Sequence, residues 1–273
     1  MSDLKSNVQL KLLSMLEWYH NFCNNHNLRY YIVGGTMLGA IRHQGFIPWD
    51  DDIDVAMPRE DYEELLKLTN NYNKEKYIVE SIYSGNEDFI YPYAKLYDTS
   101  TTLIENTRYC IKRGIYIDIF PLDGIGNTMD QAKSNYLSIQ RRINFLSTRI
   151  CALNKERKFY KNAAIIISRL IPKFIVSETR LIKAIDSSCK KYKFEASNIV
   201  GNLVGNWGER ELMERFVFGR PKLYKFENLM VFGVENYDAY LSSLYGYYMV
   251  LPPENKRKSH HNYIKCDLYK SYK

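Results

Sequence analysis

Nothing in this sequence offers a disulfide framework or a zinc knuckle. Its five cysteines, Cys23, Cys110, Cys151, Cys189 and Cys266, are odd in number, widely scattered and never paired as C-x-x-C. A reducing cytoplasm fits such usage. Long apolar runs are missing too. The most apolar stretch, Ala163 to Val176, is interrupted by Arg169, Pro172 and Lys173, and it falls short of the roughly 20 apolar residues a membrane span requires. The first residues carry acids and amphipathic spacing in place of the unbroken apolar core of a signal peptide, so secretion is not expected. Acids are scarce in one region. From Lys133 to Lys193 there are 15 Lys and Arg against 3 Asp and Glu, so the net charge of +7 belongs to one segment. That segment should meet something anionic.

What the sequence does have is ample apolar content, 45% over 273 residues, enough for a sizeable core in one large domain or two. The spacing of Leu10, Leu13 and Leu16 predicts a leading amphipathic helix over Val8 to Asn25.

The stretch from Tyr30 to Arg59 carries the densest chemistry. Tyr30 to Val33 reads as a buried strand ending at Gly34-Gly35, and Thr36 caps or begins a short helix through Arg42. A glycine pair at a strand-to-helix turn lets backbone N–H groups approach an anion, and the helix N-terminus adds favourable partial charge. An acidic cluster follows. If Asp52-Ile53-Asp54-Val55 is a strand, both carboxylates point to one face while Ile53 and Val55 enter the core. Two such anions are tolerable mainly with a cation between them, and hard carboxylate oxygens suit magnesium or manganese. Arg42 lies within reach of a phosphate bound there. A helix is predicted from Arg59 to about Asn70.

Further on, Gly114 to Gly124 reads as an apolar strand interrupted by Asp118. A carboxylate between Ile117 and Ile119 is costly to bury unpaired, so it should face a cation, a basic partner or solvent. On a strand beside Asp52 and Asp54 it completes a three-carboxylate site. Asp123, just past Pro121, reads as a turn residue. Lys95, among apolar neighbours, reads equally as a phosphate ligand or a snorkelling edge-strand residue. Helices are predicted over Thr128 to Asn154, Tyr160 to Ile171 and Ser177 to Tyr192. Ala163 to Val176 fits a core helix, an interfacial membrane helix or a substrate-facing surface. A strand over Asn198 to Val204, a helical segment over Glu209 to Phe216, a strand over Leu229 to Val234 and a helix from Asn236 to Leu244 follow. His260 and His261, in a loop after Lys256-Arg257-Lys258, either fold back over the site or belong to a solvated tail.

With these residues in place the pattern resembles the nucleotidyltransferase superfamily: Gly-Gly, a short helix, Asp-x-Asp and a later lone acid. More closely, GGTMLGAIRHQGFIPWDDDIDVAMPREDYE, DIFPLDG, NYDAYLSSLYG and LPPENKRKSHH resemble the LicD family of phosphocholine and polyol-phosphate transferases. The likeness runs from Gly34 to His261. It implies an α+β fold, a nucleotidyltransferase-like mixed sheet flanked by helices with a helical basic insertion. The expected organisation is a catalytic core over 1–127, the basic helical segment over 128–195 and a C-terminal part over 196–273 that completes core and substrate site. The implied activity is transfer of a phospho-alcohol from a CDP-linked alcohol donor to a hydroxyl of a cell-surface glycan or teichoic acid precursor, releasing CMP. By the same resemblance Asp52, Asp54 and Asp118 bind catalytic Mg2+ or Mn2+, with Asp118 either ligand or base. Gly34, Gly35 and Thr36 hold donor phosphates, Arg42 and Lys95 neutralise their charge, and His260 and His261 join the site. Tyr247 departs from the pattern, standing where many relatives carry an acid. The expected location is cytoplasmic, with peripheral contact at the inner face of the membrane if the acceptor is lipid-linked.

Three other readings compete. An EF-hand loop counted from Asp50 places Val55 where glycine is required and Asp61 where glutamate is required. A nucleic-acid module would use the basic segment and leave the acids unexplained, so no nucleic acid is expected. A nucleotidyltransferase adding a nucleotide from a triphosphate would share every metal residue and is the enzymatic rival.

Overall fold

The structure, a computed structural model, describes every residue except 1, 71–75, 87, 156 and 259–262. Leu12, Met15, Leu16 and Tyr19, three and four apart, are all buried along one side of helix α1 (Ser2–Asn25). The chain then forms β1 (Tyr31–Ile32), turns at Val33 into α2 (Gly34–His43), and returns to β2 (Asp54–Pro58). Helix α3 (Arg59–Thr69) follows at once, with Glu60 and Asp61 in its first turn where the macrodipole favours acids. Next come β3 (Tyr77–Glu80), β4 (Ala94–Asp98), β5 (Thr102–Glu105), β6 (Lys112–Arg113) and the long β7 (Tyr116–Gly126). Three helices come after, α4 (Met129–Ile150), α5 (Phe159–Leu170) and α6 (Glu178–Cys189). The chain closes through β8 (Ile199–Gly201), β9 (Met213–Glu214), β10 (Lys222–Phe226), β11 (Leu229–Gly233), α7 (Tyr237–Tyr245) and β12 (Tyr263–Asp267).

Among the described residues the main sheet has nine strands. Seven run in the order β10, β11, β1, β2, β7, β4, β3, and β8 and β9 continue from the far end of β7. It is mixed: β2 and β7 are parallel, as are β1 and β11, while β1 with β2 and β4 with β7 are antiparallel. The small second sheet orders β12, β5, β6. Helices pack around the main sheet, which gives the expected α+β class. Strands from beyond residue 195 sit beside β1 and β7, so the sheet is built from both ends of the chain.

Several elements differ from the sequence reading. Strand β2 begins at Asp54, so Asp52 lies in its lead-in, although Asp118 N donates to Ile53 O at 3.1 Å and pairing starts there. Glu209 to Phe216 forms two short 3-10 turns (Gly208–Glu211 and Arg215–Val217) separated by β9. Asp123 is no turn residue. It lies fully buried in β7, where Arg59 donates Nε to its Oδ1 at 2.7 Å and NH2 to its Oδ2 at 2.6 Å.

Candidate active site

Register brings the chemistry together. Asp54 of β2 is the parallel partner of Asp118 of β7, and Asp118 is the antiparallel partner of Lys95 of β4. Cross-strand partners project on one face of a sheet, so carboxylate, carboxylate and ammonium stand in a row. Lys95 Nζ lies 2.7 Å from Asp118 Oδ1 and 3.7 Å from Glu105 Oε1. Three tyrosine rings surround that ammonium, Tyr116, Tyr91 and Tyr93, with centroids 3.3, 4.3 and 5.6 Å away. Only 1% of Lys95 is exposed. Burial lowers its pKa, and Asp118, Asp54 and Asp52 act in the opposite direction. The buried residue is thus a counter-ion of Asp118.

The start of α2 is fastened to the same strand. Val33 N donates to Asp54 O at 3.1 Å, and Asp54 N donates to Thr36 Oγ1 at 2.8 Å. Gly34 has φ 55°, the left-handed region glycine favours, and its N–H donates to Tyr240 Oη at 2.9 Å. A Cβ there would come within 3.2 Å of Asp54 Oδ2, and one at Gly35 within 2.8 Å of Asp50 Oδ2. The glycines therefore let two carboxylates settle against the helix N-terminus. Burial raises the pKa of Asp54 well above the usual carboxylate range, and Asp52, Asp118, Asp50 and Glu211 push it further.

Two cavities flank the acidic run. The larger, about 650 Å3, is lined by Gly35, Arg42, Asp50, Lys256 and Lys258 together with Trp49, Trp207, Tyr245 and the exposed Tyr247. Arg42 donates Nε to His43 Nε2 at 3.0 Å and NH1 to Tyr248 O at 2.7 Å, so it is fixed at the wall. The smaller cavity, about 160 Å3, is lined by Asp51, Asp52, Glu105, Tyr116 and Tyr263 among others. His260 and His261 lie outside the described residues.

The chemistry of these acids suits a cation. Asp54 and Asp118 offer hard oxygens side by side, and charges from Asp50 and Asp52 converge on Asp54. Among the described residues no three His, Cys, Asp or Glu side chains gather closely enough to form a complete cage. Magnesium does not require one, since it is commonly held by one or two carboxylates with substrate phosphates and waters. The donor set fits such an ion, and Lys95 already places one positive charge against Asp118.

Some site residues were not foreseen. Asp50 entered the sequence reading only through the calcium-loop alternative, and Glu211 lies in a segment read as an ordinary helix. Glu211 is fully buried and its pKa is pushed up to about 8 by burial. Tyr240 sits inside the matching NYDAYLSSLYG block, but only the fold shows its hydroxyl on Gly34. The tyrosines around Lys95 could have been suspected from Tyr91 and Tyr93, which lie just before it in the chain.

Comparison with known proteins agrees with this geometry. Residues 27–155 match the model of the LicD/FKTN/FKRP nucleotidyltransferase domain. Over 263 residues the chain is 30% identical to the lipopolysaccharide cholinephosphotransferase LicD of Haemophilus influenzae, covering 93% of this chain and 94% of that protein. A shorter match, 37% over 70 residues, covers 26% of this chain and 26% of an uncharacterised protein of Rickettsia prowazekii. Among the described residues no helix is long and apolar enough to cross a membrane.

Proposed function

This chain belongs to the LicD family of phosphotransferases, and from that premise we propose that it moves phosphocholine from CDP-choline to a hydroxyl of a cell-surface glycan of the lipopolysaccharide type. The bond between acceptor oxygen and phosphorus forms, the bond to the CMP phosphate breaks, CMP leaves, and the hydroxyl proton passes to a carboxylate of the site. The observation that carries this reading is the Asp54–Asp118 pair, in one row with Lys95 on the next strand and directly beside the Gly34-Gly35 helix start. Choline, in preference to a polyol, follows the relative that spans nearly the whole chain.

Phosphoryl transfer needs positioning and charge neutralisation more than covalent help. A divalent cation such as Mg2+ or Mn2+, held by Asp54 and Asp118 with Asp52 beside them, would supply neutralisation at the phosphoryl oxygens. In the larger cavity the Trp49, Trp207 and Tyr245 rings offer stacking surface for the cytosine. Lys256, Lys258 and Arg42 offer cations to the diphosphate. The smaller cavity, with Asp51, Asp52, Glu105 and tyrosine rings in its wall, suits the quaternary ammonium on the far side of the reacting phosphorus. Lys95 is sealed beneath Asp118, so its role is to hold that carboxylate and not to meet the donor. The acceptor glycan is taken while still lipid-linked, at the inner face of the membrane.

The test is to incubate the protein with Mg2+, an acceptor glycan and CDP-choline, CDP-ribitol, CDP-glycerol or nucleoside triphosphates in turn. CMP release with CDP-choline is expected. Asp54→Asn and Asp118→Asn should each lower the rate by at least about a hundredfold. Pyrophosphate release from a triphosphate would instead identify the nucleotidyltransferase.

A further inference from the structure

Helix α5 carries an apolar face that the proposed chemistry leaves unused. At 100° per residue, Phe159, Tyr160, Ile166, Ile167 and Leu170 fall within an arc of about 120°. All five are exposed, Phe159 by 86% and Leu170 by 75%, and Phe174 on the following turn is exposed by 78%. On the opposite side Ile165 and Ser168 are buried. The helix is bolted in that orientation by polar contacts. Buried Arg149 donates to Ser168 O at 2.7 Å, to Ile171 O at 3.2 Å and to Glu178 Oε1 at 3.1 Å, and Arg169 donates to Cys151 O at 2.6 Å. Solvent exposure of so large an apolar face is unusual for a surface without a partner.

Charge identifies what covers it. From Arg157 to Ser177 there are five Lys and Arg and no acid, and Lys158, Lys161 and Lys173 are exposed. Glu156 directly precedes this stretch, and the acids that follow it, Glu178 and Asp186, are both buried in ion pairs, with Arg149 and Arg59 respectively. An apolar stripe rimmed by cations matches the interface of an anionic bilayer. A second copy of the chain on the same face would bring like charges together.

Position adds a further argument. Arg108 N donates to Ile150 O at 2.9 Å, and Thr107 bridges Cys151 at the root of the α5 segment. Glu105, Asn106 and Thr107 line the smaller cavity beside Asp51 and Asp52. A membrane against α5 is therefore tied, through one short loop, to the edge of the site.

We infer that the face formed by α5 and the turn after it, from Phe159 to Ile175, docks the protein on an anionic lipid bilayer, its apolar side chains entering the interface and its lysines meeting headgroup phosphates. The role of this docking, delivering a lipid-anchored acceptor, rests on the function proposed above; the docking itself does not.

Co-sedimentation of the full chain with phosphatidylcholine vesicles, with and without phosphatidylglycerol, tests it. Binding to the phosphatidylglycerol vesicles, weakened by salt, is expected. Combining Ile167→Ser, Leu170→Ser and Phe174→Ser should lower binding at least about tenfold. Lys158→Glu with Lys173→Glu should also weaken it. The triple variant should melt with the wild type, because these side chains are exposed, and should release CMP at the wild-type rate with a water-soluble acceptor. Failure of the wild type to bind either vesicle, or full binding by the triple variant, overturns the inference. So does a wild-type dimer that the triple variant dissociates. Vesicle binding as expected, with no CMP released from CDP-choline, would sink the enzymatic reading and leave the docking face standing.

Discussion

Glu211 shows what the interior does to a single charge. Its carboxyl is enclosed, a Cβ on Gly205 would come within 2.2 Å of Oε1, and its pKa rises from an ordinary 4.5 to about 8. Below pH 4.5 the folded and unfolded chains both hold the proton. Between 4.5 and 8 only the folded chain holds it, so this residue's contribution to stability is lost as pH rises, by up to about 1.4 kcal/mol per unit. Glu211→Gln should therefore raise the melting temperature progressively more from pH 5 to pH 8. A constant difference across that range would remove Glu211 as the titrating group. Lys95 is the opposite case, a buried cation kept by its neighbours. Lys95→Met leaves Asp118 beside Asp54 without its counter-ion and should cost about 3–5 kcal/mol. Added Mg2+ should recover part of that loss and raise the melting temperature of the variant more than that of the wild type. Equal shifts in the two proteins would argue against a cation between these carboxylates.

Among elements, the strands carrying strong apolar runs were legible in the sequence and the polar edges were not. Tyr30 to Val33, Val55 to Met57 and Ile117 to Leu122 are almost wholly apolar because β1, β2 and β7 lie inside the sheet. Strand β10 is mostly exposed and carries Lys222 and Lys225, so it shows no alternation that would mark it. Strand β7 runs straight through Asp123, whose place just past Pro121 suggests a turn, and on to Gly126. Pro121 falls after the pairing with β4, which stops at Ile119, and before the pairing with β8, which begins at Asp123. Beyond it Asp123 forms a two-pronged pair with Arg59 at the head of α3, and Asp186 of α6 takes the remaining Arg59 nitrogen at 2.8 Å. Spacing along the chain gives no hint of such a contact, since its partners lie 64 and 127 residues from Arg59. Arg59→Met strands the buried Asp123 carboxylate, while Asp186 keeps Lys190 and Tyr83, and should cost about 3–5 kcal/mol in denaturant unfolding. Lys67→Met, which breaks an exposed pair with Glu64, should cost less than about 1 kcal/mol. Comparable costs would mean that the buried network does not clamp α3 and α6 to the sheet.

At the scale of the whole molecule, the acids are local in sequence and their support is not. Residues 27–155 match the family domain and contain Asp52, Asp54 and Asp118, but β1 sits between β2 and β11, whose residues lie beyond 228. The hydroxyl on Gly34 N comes from Tyr240, and Glu211, from a third segment, lies near enough to act on Asp54. The motif block could therefore reveal the metal-binding chemistry without revealing what holds the glycine turn in place. A chain ending at residue 195 keeps every predicted acid. It also leaves two-residue β1 as an exposed edge, uncovers the face of α2 that packs on α7, and frees the far end of β7. Such a chain should lose cooperative thermal unfolding by near-ultraviolet circular dichroism and release no CMP. A sharp transition retained in the truncated protein would show that residues 1–195 fold alone, and that the C-terminal strands serve the substrate and not the sheet.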